Sequence, residues 1–212
     1  MNYSPLLTLA LGAVLAQATT GCLGLKPRSD PAQFYALTTV PPADPATPPP
    51  QLAARTVLLT RVIVPDYLAH PGIVVRDGEA RVHISEIHLW AEPVRDGVTR
   101  ILRDALAARL GPERVHPIDT RRPRGPHLEV EVTFSRFELS SQNEALLDAH
   151  WQLIAQPEGA RRTGGVSHQR HSFTPVPEDY SPGIVALSRC LAGLADDLAT
   201  RLPAESGPRS EP

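Results

Sequence analysis

Apolar residues recur at helical spacing in two stretches of the chain. In residues 93–110 they fall three and four positions apart and form one stripe, with arginines and aspartates on the other side. Gly111 predicts the end of this helix. A second stripe runs through residues 184–202, and Ser181 followed by Pro182 predicts a serine N-cap with proline at the first helical position. The pattern therefore predicts two amphipathic helices, each with one face to bury.

Strand patterns occupy much of the remaining chain. Residues 57–64 are almost continuously β-branched or aliphatic, which predicts a strand buried on both faces. Residues 73–84 carry Asp77-Gly78 in the middle, a dipeptide typical of β-hairpin turns. Apolar and polar residues alternate over residues 128–134, and the loss of phase at 135–136 predicts a β-bulge. Shorter strands are predicted at residues 34–37, 150–155 and 166–173.

The order of these elements is strand, strand, hairpin, helix, several strands, helix. This order predicts a single α/β domain, with α+β as the alternative, in which two long amphipathic helices cover a mixed sheet of about six strands. We assign the domain to residues 34–202. Within it, the prolines of residues 39–55 predict an extended Pro-rich loop. Residues 203–212 begin with a proline and are predicted to form a disordered tail.

The start of the chain has the pattern of a secretion signal. Residues 6–16 form an apolar run that matches a signal-peptide core and is too short for a stable membrane span. Small residues and Cys22 follow, as lipoprotein processing requires. We therefore predict a lipoprotein signal peptide at residues 1–21, acylation of Cys22, and a tether over residues 22–33. The alternative is an ordinary signal peptide followed by an incidental cysteine.

The predicted lipid on Cys22 also suggests where the protein is located. A single acyl chain binds a membrane only marginally, so a multiply acylated cysteine, carrying palmitate, would be a firm anchor. Residue 23 is leucine and not aspartate. In bacteria that use aspartate as a retention signal, this favours the outer membrane over the inner one. The domain would then lie at the periplasmic face of the outer membrane.

Composition and motifs argue against several classes of function. The net charge of -2 gives no strong field for binding nucleic acid. The sequence has no phosphate-binding loop, no nucleophile elbow and no H-E-x-x-H zinc motif. His168 and His171 would point to opposite faces of a strand, so they do not predict a metal site. We therefore predict no enzymatic activity and no cofactor beyond the covalent lipid on Cys22.

Cysteine and aromatic residues of the predicted domain have mainly structural interpretations. Cys190 lies beside the apolar stripe of the second helix and is predicted to be a small core residue. Tyr35, Tyr67 and Trp90 are the candidate contacts to a partner. Each of them can instead be an anchor of the core, and this packing role is the favoured interpretation. No catalytic residue is predicted.

Several short motifs follow Cys22 in a characteristic order. They are Phe34-Tyr35-x-Leu37, Val64-Pro65-Asp66-Tyr67-Leu68, Ile73-Val74-Val75 and Leu89-Trp90-Ala91-Glu92-Pro93. In their order and spacing, the chain resembles the ABC-type transport auxiliary lipoproteins, the PqiC-type family, from Cys22 to about Leu202. The Pro-rich segment and the tail are longer than expected for this family.

The resemblance implies a role that the residue pattern alone does not show. It implies a non-catalytic envelope component that docks on an MCE-domain transport protein, which is fixed in the inner membrane with its permease system. It further implies a Rossmann-like, three-layer fold and carries over Cys22 as the acylation site. Oligomerisation is left open. The alternatives are a direct periplasmic lipid carrier, which needs an apolar cavity, and an anchored enzyme, which needs converging titratable groups.

Overall fold

The computed structural model describes residues 31–41, 56–116, 123, 125–156 and 162–202. The predicted signal peptide, Cys22, most of the tether, most of the Pro-rich loop and the predicted tail lie outside the described residues. Residues 32–202 of the described part belong to one compact unit.

The described elements are strands, two long helices and one short 3-10 turn. The strands are β1 (Gln33–Tyr35), β2 (Thr56–Ile63), β3 (Gly72–Asp77), β4 (Arg81–Trp90), β5 (Val115–His116), β6 (His127–Ser140), β7 (Glu144–Gln156) and β8 (Arg162–Ser172). The helices are α1 (Val94–Leu110) and α2 (Ser181–Arg201), and the 3-10 turn covers Asp66–Ala69.

Strand β6 is the centre of a mixed sheet. One of its edges pairs with antiparallel β7 along almost the whole strand, and β7 pairs in turn with β8. The other edge pairs in parallel with β2 over its first half and with β3 at its end. Strands β4 and β1 continue from β3, while β5 lies beside β2. Strand β1 therefore lies at the end of the sheet beyond β3 and β4, and β8 lies at the end beyond β7.

Both helices lie on the same face of this sheet. They contact each other, and α2 also contacts β7 and β8 while α1 contacts β2 and β5. One shared core fills the space between the helices and the sheet. Its inward strand residues alternate along β6 and β7 and include Leu128, Val130, Val132, Phe134, Ala145, Leu147, Ala149, Trp151 and Leu153. This alternation is the reason that the two strands keep one face for the helices.

The predicted class, an α/β domain with a mixed sheet and two long helices, is confirmed. The described residues contain eight strands where about six are predicted, and they form two layers where the resemblance implies three. Strand β5 has only two residues, too few for a periodic pattern to reveal. The Asp-Gly hairpin is confirmed between β3 and β4, with Gly78 at φ 73°. The predicted bulge is confirmed by a register shift between Phe134 and Arg136.

The start of α2 differs from the prediction. Ser181 is the first helical residue, not the N-cap, and the preceding Tyr180 makes no side-chain cap bond. Instead, the Asp179 carboxylate accepts hydrogen bonds from the Ser181 backbone N–H at 2.8 Å and from its hydroxyl at 2.6 Å. These bonds lower the pKa of Asp179. Asp179 therefore takes the role predicted for Ser181, because its longer side chain reaches the free N–H from two residues upstream.

Candidate functional site

The motif segments meet where β1 lies parallel to β4. Phe34 is paired with Leu89, and Tyr35 is paired with Trp90. The Ala91 backbone N–H donates to the Tyr35 carbonyl oxygen at 2.8 Å and extends this pairing. The tertiary structure thus brings together two motifs that are more than fifty residues apart in the sequence.

The hydroxyl of Tyr35 joins β1 to β4 and to Tyr180, the residue before α2. It lies 3.1 Å from His88 Nδ1 and donates to Gln33 Oε1 at 2.8 Å. It also accepts the backbone N–H of Tyr180 at 3.3 Å, one of the N–H groups that a helix start leaves without a helical partner. The His88 and Tyr180 rings are 4.7 Å apart between centroids. Burial, with Tyr35 nearby, raises the pKa of Tyr180.

Arg100 of α1 connects Glu92, in the second motif of this junction, to the chain after β1. The Arg100 guanidinium forms an ion pair with the Glu92 carboxylate and donates to the Leu37 carbonyl oxygen at 3.2 Å. Glu92 raises the pKa of Arg100 through this hydrogen bond and its charge. Gly97 lies under the carboxylate, since a Cβ built there would be 3.1 Å from Glu92 Oε1. The motif glutamate therefore has a local structural role.

Tyr67 belongs to a separate polar network. Its hydroxyl donates to Glu138 Oε2 at 2.8 Å, and the Arg76 guanidinium binds both oxygens of the same carboxylate. Arg136 Nε lies 3.5 Å from Glu138 Oε1 and 3.4 Å from an Asp148 oxygen. The Glu138 side chain is fully buried. Burial first, and then Glu138, raises the pKa of Tyr67 to about 12. This network ties the 3-10 turn to β3 and β6.

The structure places the three predicted aromatic residues in two locations. Tyr35 and Trp90 are neighbours in the core, whereas Tyr67 is half-buried over Glu138. Sequence reasoning missed His88 and Glu138, both of which are buried polar residues. The alternation along β6 puts Glu138 on the face away from the helices, and that position normally indicates exposure to solvent. The burial of Glu138 becomes visible only in the tertiary structure, where the 3-10 turn covers it.

The other face of the β1–β4 junction is open. Phe34 is 65% exposed and Ile87 is 42% exposed, although both are large apolar residues. Among the described strands, β1 pairs only with β4, so its second edge is without a strand neighbour. Exposed apolar groups beside an open strand edge are typical of an interaction surface. The arrangement can bind a partner or a surface, and it offers no reactive group.

The histidine and acidic residues of the described ranges do not form a cluster that resembles a metal site. No group of three or more His, Cys, Asp or Glu side chains is placed there to hold a metal ion. His168 Nδ1 lies 2.6 Å from Asp148, and burial lowers the pKa of His171. Cys190 is buried, and burial raises the pKa of its thiol to about 12, which fits the predicted core role.

Neither helix of the described part of the chain is both long enough and apolar enough to cross a membrane.

Comparison with solved structures supports the fold. The crystal structure of an uncharacterized protein matches with a TM-score of 0.65 and 18% identity, over 81% of this chain and 99% of that one. The crystal structure of a Xanthomonas campestris protein matches with a TM-score of 0.59 and 17% identity, over 79% of this chain and 93% of that one. At these identities, the likeness concerns the fold alone.

Comparison of sequences identifies the family. The chain is 27% identical, over 109 residues, to proteins of Escherichia coli and Shigella flexneri that are named intermembrane transport lipoprotein PqiC. The match covers 51% of this chain and 56% of each relative, so it spans about half of their length. Residues 35–199, from the end of β1 to the last turns of α2, match the family described as the ABC-type transport auxiliary lipoprotein component. The chain therefore belongs to the family of ABC-type transport auxiliary lipoprotein components.

Proposed function

We propose that the protein is a non-catalytic auxiliary component of an intermembrane lipid transport system, held on a membrane by its N-terminal lipid. It docks on an MCE-domain protein, which works with an inner-membrane permease. The observation that carries this proposal is the family match over residues 35–199, because it covers nearly the whole described fold. The name of the two curated relatives supports transport between membranes.

The anchor in this proposal is Cys22. It is placed after the apolar run of residues 6–16, and a lipid on its thiol associates the domain with the cell envelope. Leucine at position 23 favours the outer membrane, with the domain on the periplasmic side. The chain then reaches from the outer membrane towards a partner that is fixed in the inner membrane.

Two buried charged groups, Glu138 and Arg109, support a structural role over a catalytic one. Glu138 is occupied by two guanidinium groups and the Tyr67 hydroxyl. The buried Arg109 on α1 binds Asp196 and the Ala192 carbonyl oxygen of α2. A general acid or base needs a proton-accepting position that faces substrate. These groups are instead saturated by partners within the fold.

The core favours docking over lipid carriage. Side chains from both helices meet the sheet with almost no exposed surface, among them Leu59, Ile73, Val98, Leu147, Leu191, Leu194 and Leu198. A ligand pocket usually measures roughly 300–1,000 Å³ and encloses most of its ligand. Grooves of about 230, 260, 350 and 710 Å³ lie on the described part of the surface, and each of them opens to solvent instead of enclosing a ligand. Partner binding at the surface fits this arrangement better than an internal lipid site.

The anchor and the partner are tested with the full chain in its native host. We expect palmitate labelling of the wild type and of a Cys190→Ala variant, and loss of label in Cys22→Ala. Affinity purification from detergent-solubilised envelope should recover the co-expressed MCE-domain protein with the wild type. Recovery of no such protein, although it is expressed, would overturn docking. Retained label in Cys22→Ala would overturn the anchor.

A further inference from the structure

Five outward positions at the β1–β4 junction are apolar. We call them the apolar strip: Phe34, Ala36, Ile87, Leu89 and Ala91. Phe34 and Leu89 are register partners and lie on one face of the two strands. Ala36 and Ala91 directly follow the ends of β1 and β4, and Ile87 lies where the register of β4 with β3 shifts; these three are included because they are exposed and adjoin the pair in the chain. Four of the five residues are exposed and Leu89 is half-buried. The strip itself carries no charged group, and the exposed Glu86 adjoins it at Ile87.

The strip differs from the rest of the face that lies away from the helices. The outward positions of β6 and β7 are mostly polar and include Glu131, Thr133, Asp148, His150 and Gln152. Single apolar residues on a surface are ordinary, but adjacent ones mark a contact. The opposite faces of the same strands hold Tyr35 and Trp90 in the core. The rigid junction thus presents the strip on a fixed base.

The strip also lies close in sequence to the proposed lipid anchor. Only residues 23–33 separate Cys22 from Phe34. A chain of this length spans at most about 40 Å. Lys26, Arg28 and Asp30 lie within this segment, and its net positive charge favours anionic headgroups. An acylated Cys22 therefore keeps the strip near the bilayer.

We propose that the apolar strip rests on the surface of the membrane that holds the lipid anchor, and so orients the domain. This inference rests on acylation of Cys22, as the proposed function states. Phe34 and Ile87 enter the headgroup boundary, where an aromatic ring and an aliphatic chain are favoured. A few apolar side chains bind a bilayer weakly on their own. The anchor raises their effective concentration to the millimolar range, at which a weak contact is occupied.

Two matched tryptophan variants test this orientation. Phe34→Trp places a reporter in the strip, and Val166→Trp places one on β8, at the other end of the sheet. Val166 is a suitable control because it is 46% exposed and is paired with the outward-facing His150. Lipidated full-length protein is reconstituted into vesicles of phosphatidylcholine and phosphatidylglycerol, with and without lipid brominated near the headgroup. Wild-type emission from Trp90 and Trp151 is subtracted.

We expect the emission of the two tryptophan reporters to respond differently to the vesicles. Emission from Trp at position 34 should shift to the blue and fall by about half with brominated lipid, while Trp at position 166 stays unquenched. The Cys22→Ala, Phe34→Trp chain should show no quenching, because it lacks the anchor. Equal quenching at both positions, or at neither, in protein that floats with the vesicles overturns the orientation and leaves the anchor intact. A blue shift at position 34 without vesicles means that protein covers the strip, which also overturns the inference. Failure of the wild type to float refutes the anchor and the orientation together.

Discussion

The indole of Trp151 on β7 lies directly against the α-carbon of Gly165 on β8. The two residues are paired across the strands, and a Cβ built on Gly165 would be 2.4 Å from Trp151 Cζ2. The indole N–H donates to the Ser167 hydroxyl at 3.2 Å, and Arg201 of α2 lies 5.8 Å from the ring centroid. This packing lets α2 lie close to β8, since the glycine leaves room for the ring.

Substitution of Gly165 by alanine should destabilise the fold. The added methyl group meets a buried aromatic ring that neighbours on two elements hold in place, so the strand must shift. We expect a loss of about 1–3 kcal/mol in the free energy of unfolding, measured by urea denaturation. Gly125→Ala is the control, because a Cβ at Gly125 meets no atom within 4 Å. A smaller loss for Gly165→Ala than for the control would contradict this packing.

Arg109 is the buried link between the two helices. Its guanidinium donates to the Ala105 and Ala192 carbonyl oxygens at 2.8 and 2.9 Å and forms an ion pair with Asp196. Arg109→Met keeps much of the volume but removes these bonds, and should cost about 1–3 kcal/mol of unfolding free energy. Arg103→Met, which affects only the pair with the adjacent Asp104, should change stability by less than about 0.5 kcal/mol. If Arg109→Met loses no more unfolding free energy than Arg103→Met, in thermal or urea unfolding, the link between the helices does not stabilise the fold.

Tyr67 should make stability fall at high pH. Its pKa of about 12 in the fold lies above its ordinary value of 10.0, so the folded protein holds a proton that the unfolded chain releases. The stabilisation is complete below pH 10 and is lost as pH rises towards 12. Tyr180 and Cys190 have raised pKa values as well, so the comparison is between wild type and Tyr67→Phe. The variant should lose stability less steeply over this interval in urea denaturation.

A second variant separates the causes of this shift. Glu138→Gln removes the charge that faces the Tyr67 hydroxyl and should bring the pKa of Tyr67 closer to 10.0, as followed by the absorbance of tyrosinate. Burial alone would still hold it above that value, because burial is the largest cause. An unchanged pKa in Glu138→Gln would mean that the carboxylate has no part in the shift.

Tyr35→Phe should loosen the β1–β4 junction. The variant keeps the ring in the core and removes the hydroxyl that contacts His88 and the Tyr180 N–H. We expect a loss of about 0.5–1.5 kcal/mol in unfolding free energy. The hydrogen bond from the Ala91 amide to Tyr35 is the local readout, since its hydrogen exchange should accelerate when β1 detaches more often. Unchanged hydrogen exchange at Ala91 would mean that the lost stability does not arise at the β1–β4 junction.

Local patterns in the sequence determined the elements of this protein. Both long helices, the Asp-Gly hairpin and the bulge near residue 135 follow from periodicities of a few residues, which depend only on near neighbours in the chain. The same reasoning placed Cys190 in the core. Motif order and spacing led to the family, which the match over residues 35–199 confirms.

The tertiary structure alone decided which elements lie side by side. Periodicity tells which face of a strand is buried, but not which strand becomes its neighbour. The pairing of Tyr35 with Trp90 and the burial of Glu138 under the 3-10 turn both depend on contacts between distant segments. The placement of both helices on one face has the same origin. Such contacts are set by the packing of the whole sheet, because each strand is buried only once its neighbours are in place.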